Sequence, residues 1–126
     1  MKLLPLCILF FTLNIVCAQS ETTALNVTIE ELRENPEKYH QKTVIVSGYM
    51  NLEFEGDSLY PEKSDYENHA YAKSLYLYIE DRYALKKKGI NKIYVKVKAT
   101  FQKDMKGHFG MWFGGLTNIK DIKLKK

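Results

Sequence analysis

Glu53, Glu55 and His108 are the residues of this 126-residue chain whose types and spacing come nearest to a catalytic or metal-binding set. Glu53 and Glu55 are two apart and share one face of an extended strand. Two carboxylates on one face can hold a cation or divide the roles of acid and base, and an imidazole from His108 would add a ligand or proton carrier. Brought together by the fold, the three would suit a small metal-dependent or acid/base hydrolase. Against that stands the spacing of the histidines. His40, His69 and His108 include no i,i+4 pair and no His-Glu-x-x-His motif. Asp57 adds an oxygen donor, but the run lacks the ligand order of an EF-hand loop. Paired glutamates at a strand end also have a plain structural use, since charge there discourages edge pairing.

Binding is the second chemistry the side chains offer. Tyr49, Tyr76, Tyr78, Tyr94, Lys96 and Lys98 fall on the outward faces of three expected strands, where rings and ammonium groups could form a stacking and anion-contacting platform. The same rings could equally stabilise the sheet by cross-strand pairing. The run His108-Phe109-Gly110-Met111-Trp112-Phe113-Gly114-Gly115 is dense in aromatics and glycine; it reads as a pocket lip or as a bent closing strand whose Trp112 fills a barrel end. The leading expectation is therefore a non-enzymatic module that binds a protein or a small ligand near one barrel mouth through Tyr49, Glu53, Glu55, His108 and Trp112, with no cofactor and no metal. A net charge of only +4, with its lysines dispersed, argues against nucleic acid as the partner.

The elements that must position these residues are mostly strands. Thr28-Ile29-Glu30-Glu31 reads as a capping box opening a short helix, with Ile29 and Leu32 as its apolar stripe and Asn35-Pro36 as its end. Residues 37–42 read as a polar turn. Over residues 43–54, Val44, Val46, Met50, Leu52 and Phe54 alternate with Ile45, Ser47, Tyr49, Asn51 and Glu53, and Gly48 marks a bulge or bend. A turn at 55–58 and a short strand stopped by Pro61 follow. Residues 74–79 and 92–101 alternate again, separated by a charged helical connector, and Ile119, Ile122 and Leu124 complete the apolar pattern. The expected fold is mainly β with short helices: a small five-stranded OB-like barrel after a short N-terminal helix.

Asn35-Pro36-Glu37-Lys38-Tyr39-His40-Gln41-Lys42, followed by Val44-Ile45-Val46-Ser47-Gly48-Tyr49, resembles the opening of small uncharacterised bacterial exported OB-fold-like proteins. Leu52-Glu53-Phe54-Glu55-Gly56 and Gly107-His108-Phe109-Gly110-Met111 resemble further motifs of that group. The resemblance spans most of residues 19–126. It implies a fold and no reaction. Gln41 stands where that pattern has glycine.

Residues 1–18 have the layout of a secretory signal peptide: a basic start at Lys2, an apolar stretch over residues 3–16, and Val16-Cys17-Ala18 before the expected cut. The stretch is shorter than the roughly 20 residues a membrane-spanning helix needs. Cleavage removes Cys7 and Cys17, the only cysteines, and with them thiol catalysis and disulfides. A lipid anchor at Cys17 is the alternative, and Asn14-Ile15-Val16 fits a lipoprotein signal poorly. The expected organisation is a signal peptide at 1–18, a linker at 19–27 and a barrel domain at 28–126, exported to a periplasm or secreted.

Overall fold

A computed structural model describes residues 23–125; the expected signal peptide lies outside them. The end of the expected linker joins the fold, because β1 (Leu25–Asn26) pairs in parallel with Val44 and Ile45 and Val27 is buried. Thr28 then caps α1 (Ile29–Glu34), its Oγ1 accepting the Glu31 N–H at 3.0 Å. Ile29 and Leu32 are buried in the core, as the stripe requires. Pro36 does more than end this helix. It opens α2 (Pro36–Tyr39), where a missing N–H costs nothing, so the expected polar turn is a short helix that buries Tyr39.

The chain leaves α2 through Gln41, whose φ of 63° is left-handed and whose N–H donates to Phe101 O at 2.7 Å. A glycine would take that backbone without the Cβ penalty. Gln41→Gly is therefore expected to raise stability by about 0.5–1 kcal/mol, read as a higher urea midpoint at unchanged slope.

Five strands close the barrel: β2 (Thr43–Asn51), β3 (Ser58–Tyr60), β4 (Leu75–Leu77), β5 (Ile93–Gln102) and β6 (Gly114–Leu124). Their order around the barrel is β2-β3-β4-β6-β5, with β5 returning to β2. The β4–β6 pair is parallel and the other neighbours in this ring are antiparallel. A helical connector containing α4 (Arg82–Lys87) joins β4 to β5, completing an OB-like topology. Between β3 and β4 lies α3 (Lys63–Glu67), followed by a single 3₁₀ turn (Tyr71–Lys73).

Alternation sets the inside. Val44, Val46, Met50, Leu59, Leu75, Leu77, Val95, Val97, Ala99, Phe101 and Leu116 point into one core. Phe54 breaks the expectation: β2 ends at Asn51, Leu52 is the last inward residue, and the Phe54 ring is 80 % exposed. Gly48 is not a bulge, because the β2–β5 register runs unbroken past it. It is a close approach. A Cβ there would lie 2.5 Å from Tyr60 O and 2.8 Å from Leu59 Cγ, so only glycine lets β3 cross at this point. The irregularity sits instead in β6, where Thr117 faces Thr100 but Asp121 faces Lys98, and Asn118 takes a φ of 48°.

Candidate functional site

In OB folds the ligand surface is the outer face of the second and third barrel strands, with the first and last interstrand loops beside it. Here those strands are β3 and β4, and their outer face carries Ser58, Tyr60 and Tyr76. The chain covers this face itself. Trp112, from the loop before β6, lies on it with ring centroids 5.2 Å from Tyr76 and 5.1 Å from Tyr71, and its Nε1–H donates to the buried Ser58 Oγ at 2.9 Å. That hydroxyl in turn donates to Gly56 O at 2.7 Å. Gly107 is required for the same closure, since a Cβ there would run into Trp112 and Tyr76. On the other flank Tyr66 of α3 packs on Tyr49 and Tyr60, at 5.5 and 5.7 Å, and Tyr94 meets Tyr49 edge-on at 5.3 Å.

The outward aromatics thus form a second, outer layer. Tyr49 and Trp112, two of the residues expected at a binding surface, are each only 4 % exposed. Their rings hold loops down and have almost no area left for a ligand. Trp112 fills the outer layer over β3 and β4 and not the barrel end. Of the expected platform, Tyr78 remains well exposed, while Tyr94 is engaged through its hydroxyl with the Lys63 N–H and Glu62.

Burial in this layer has a titration consequence. It pushes the Tyr60 phenol up to about 12 and also raises Tyr49. A phenol raised in the fold keeps its stabilising contribution below its unfolded value near 10 and loses it as pH rises toward the folded value. The urea midpoint is accordingly expected to fall between about pH 10 and 12, and to fall less steeply in Tyr60→Phe.

Glu55 and His108 do converge. Glu55 Oε2 and His108 Nε2 are 3.3 Å apart, each side chain about half exposed, joining the loop of residues 52–57 to that of 103–113. Glu53 makes no ion pair with His108; its side chain lies over Gly56. Among the described residues no three His, Cys, Asp or Glu side chains gather as metal ligands. The geometry therefore assembles two of the three groups that the hydrolase reading needs.

Sequence reasoning missed three features of this junction. Asp57 is buried and forms a two-pronged pair with Arg82 of α4, with Nε and Nη2 each 2.7 Å from a carboxylate oxygen, while Oδ1 also accepts the Glu53 N–H at 3.0 Å. The hydrogen bond to Asp57 holds the Arg82 guanidinium above its ordinary pKa. The second and third features are Phe54, 80 % exposed, and Phe109, 88 % exposed, which flank the Glu55–His108 pair in sequence. Phe109 meets the His108 ring edge-on at 4.8 Å. Glu55 and Phe109 both take left-handed backbone, at φ 57° and 58°. The available signal was a large apolar residue set between charged or turn-forming neighbours, as in Glu53-Phe54-Glu55 and His108-Phe109-Gly110.

Among the described residues no helix is long and apolar enough to cross a membrane. Comparison with protein-family models, curated proteins and solved structures finds no match.

Proposed function

We propose that the protein is a non-catalytic binding module of the exported, OB-fold-like kind, and that it meets a protein partner through the joined tips of its first and last interstrand loops. The contact residues in this reading are Phe54, Glu55, His108 and Phe109. The observation that carries it is the placing of two nearly naked phenylalanines beside a 3.3 Å interloop contact between Glu55 and His108. Leaving two large rings in water is costly, and each stands next in sequence to a residue of the contact that joins the two tips. Both tips also contain a non-glycine residue in left-handed backbone, strain of a kind that collects at functional positions. Rings that stand out into solvent suit insertion into a partner's cleft better than enclosure of a small ligand, and aromatic anchors dominate such interfaces. The self-covered β3–β4 face argues in the same direction, because a strand of nucleic acid needs that face open.

A photo-reactive phenylalanine analogue at position 54 or 109 tests the reading. In the extracytoplasmic fraction of the producing cell it is expected to yield one adduct of defined mass. The same probe at Tyr83, an exposed ring on α4, is expected to yield none. Phe54→Ala with the probe at 109, and Phe109→Ala with the probe at 54, should each abolish the adduct and leave the unfolding free energy within about 0.5 kcal/mol of the parent. Equal labelling from position 83, or none from either tip, refutes the assignment. The export component has its own test: intact mass of the mature chain, expected to begin at Gln19.

A further inference from the structure

The two halves of β6 have unequal surroundings. Gly114, Gly115 and Leu116 pair with β4 on one edge, but β4 stops at Leu77, and the Tyr78 N–H then bonds Leu116 O at 3.0 Å. Beyond that point, among the described residues, β5 is the only strand paired with β6. The direction of each backbone group follows from one bond. Lys125 N–H donates to Tyr94 O at 3.1 Å, in the register that sets Lys123 against Lys96 and Asp121 against Lys98. Residues 121, 123 and 125 therefore turn their N–H and C=O groups to β5, and Ile122 and Leu124 turn theirs away from it.

An open edge of this kind is a template for another strand, and charged side chains commonly blunt it. The charges here have a second property. In an antiparallel pairing, residues whose backbone faces the open edge must oppose residues that face it on the other strand. If the partner strand is β6 of a second copy, one such register sets Ile122 against Ile122. It then places Asp121 opposite Lys123 of the second copy and Lys123 opposite its Asp121. Sliding one allowed step one way puts Asp121 against Asp121; sliding the other way puts Lys123 against Lys123 while Asp121 meets Lys125. Of the three registers, only the one centred on Ile122 sets opposite charges face to face with no like pair among them. Asp121 and Lys123 already share a face, with Oδ2 and Nζ 3.4 Å apart, and both are well exposed. Leu124 is also exposed, and beside the edge lies a groove of about 470 Å³ that includes Tyr78, Leu85, Ile119 and Ile122.

We propose that the protein forms a two-fold dimer by antiparallel pairing of the β6 edges, centred on Ile122. This closes both open edges at once, as an isologous interface must. It is independent of the loop-tip reading, since β6 lies outside the Phe54–Phe109 junction.

Sedimentation velocity of the purified protein, from about 1 to 500 µM, is expected to show a monomer–dimer equilibrium. Asp121→Lys or Lys123→Asp alone turns both cross-copy pairs repulsive and is expected to raise the dissociation constant about tenfold or more. The double variant D121K/K123D exchanges the signs and should return it to within about threefold of the parent. Ile122→Pro removes an N–H that β5 does not use, so it should abolish the dimer and leave the circular dichroism spectrum in place. The charge variants, at exposed side chains, decide the matter should the proline variant not fold. A monomer throughout, including one whose edge takes up an extended peptide instead, overturns the proposal. So does a dimer indifferent to D121K and to Ile122→Pro.

Discussion

Trp112→Ala is expected to lower the unfolding free energy by about 4 kcal/mol, the largest effect of any single truncation outside the barrel core. The indole is almost fully buried, stacks against Tyr71 and Tyr76, and satisfies the Ser58 hydroxyl. Deleting it empties the centre of the outer layer and leaves a buried hydroxyl without its donor. Trp112→Phe keeps most of the packing and loses the hydrogen bond, so a loss of about 1–2 kcal/mol is expected there. Urea unfolding followed by circular dichroism distinguishes the two. A loss below about 1 kcal/mol for the alanine variant would mean that the loop is held by something other than this ring. Loss of partner capture in Trp112→Ala would then report a released loop and not a missing contact, which is why the binding test above uses Phe54 and Phe109.

Asp57→Ala is expected to cost about 3 kcal/mol. Asp57 is the buried member of a pair whose other member, Arg82, is about one-third exposed. Removing the carboxylate leaves a guanidinium without its counter-charge and the Glu53 N–H without an acceptor. Arg82→Ala should cost nearly as much, because a buried carboxylate is left behind. A double-mutant cycle is expected to return a coupling energy above about 1 kcal/mol, and Arg82→Lys should recover little, since lysine cannot reproduce the two-pronged geometry. Additive losses would show that the two side chains stabilise the fold separately. The pair ties α4 to the first interstrand loop, so Asp57→Ala should also loosen the Glu55–His108 junction, measurable as faster amide exchange at residues 53–56.

The barrel was legible because its evidence is local. The alternation of Val44, Val46 and Met50 against Tyr49, and of Val95, Val97 and Ala99 against Lys96 and Lys98, needs only a strand's period of two. Gln41, noted as standing in place of glycine, does sit in left-handed backbone. The outer layer was not legible. An outward ring that will be covered has the same local pattern as one left in water. The difference lies in residues 62–73 and 107–112, irregular segments that fold back from elsewhere in the chain. Tyr49 reads as an outward ring and Trp112 as a pocket lip or a barrel-end plug, and both are covered by contacts that no local period encodes. Glu55 and His108 meet because strand order puts their loops side by side, while Glu53 turns over Gly56. Alternation predicts Leu52 inward one residue past β2 and fails at Phe54, where the turn over residues 54–56 has begun.

The β2–β5 seam has a consequence for when this molecule can fold. Thr43 pairs with Thr100, and Met50 with Ile93, so the longest ladder of β2 waits for a strand far down the chain. β6 then has to bridge β4 and β5 before the ring is complete. Such non-local closure slows folding. A chain emerging in order keeps its first strands unsealed until the final one arrives. Until then the molecule is an open polymer, with no finished barrel to undo.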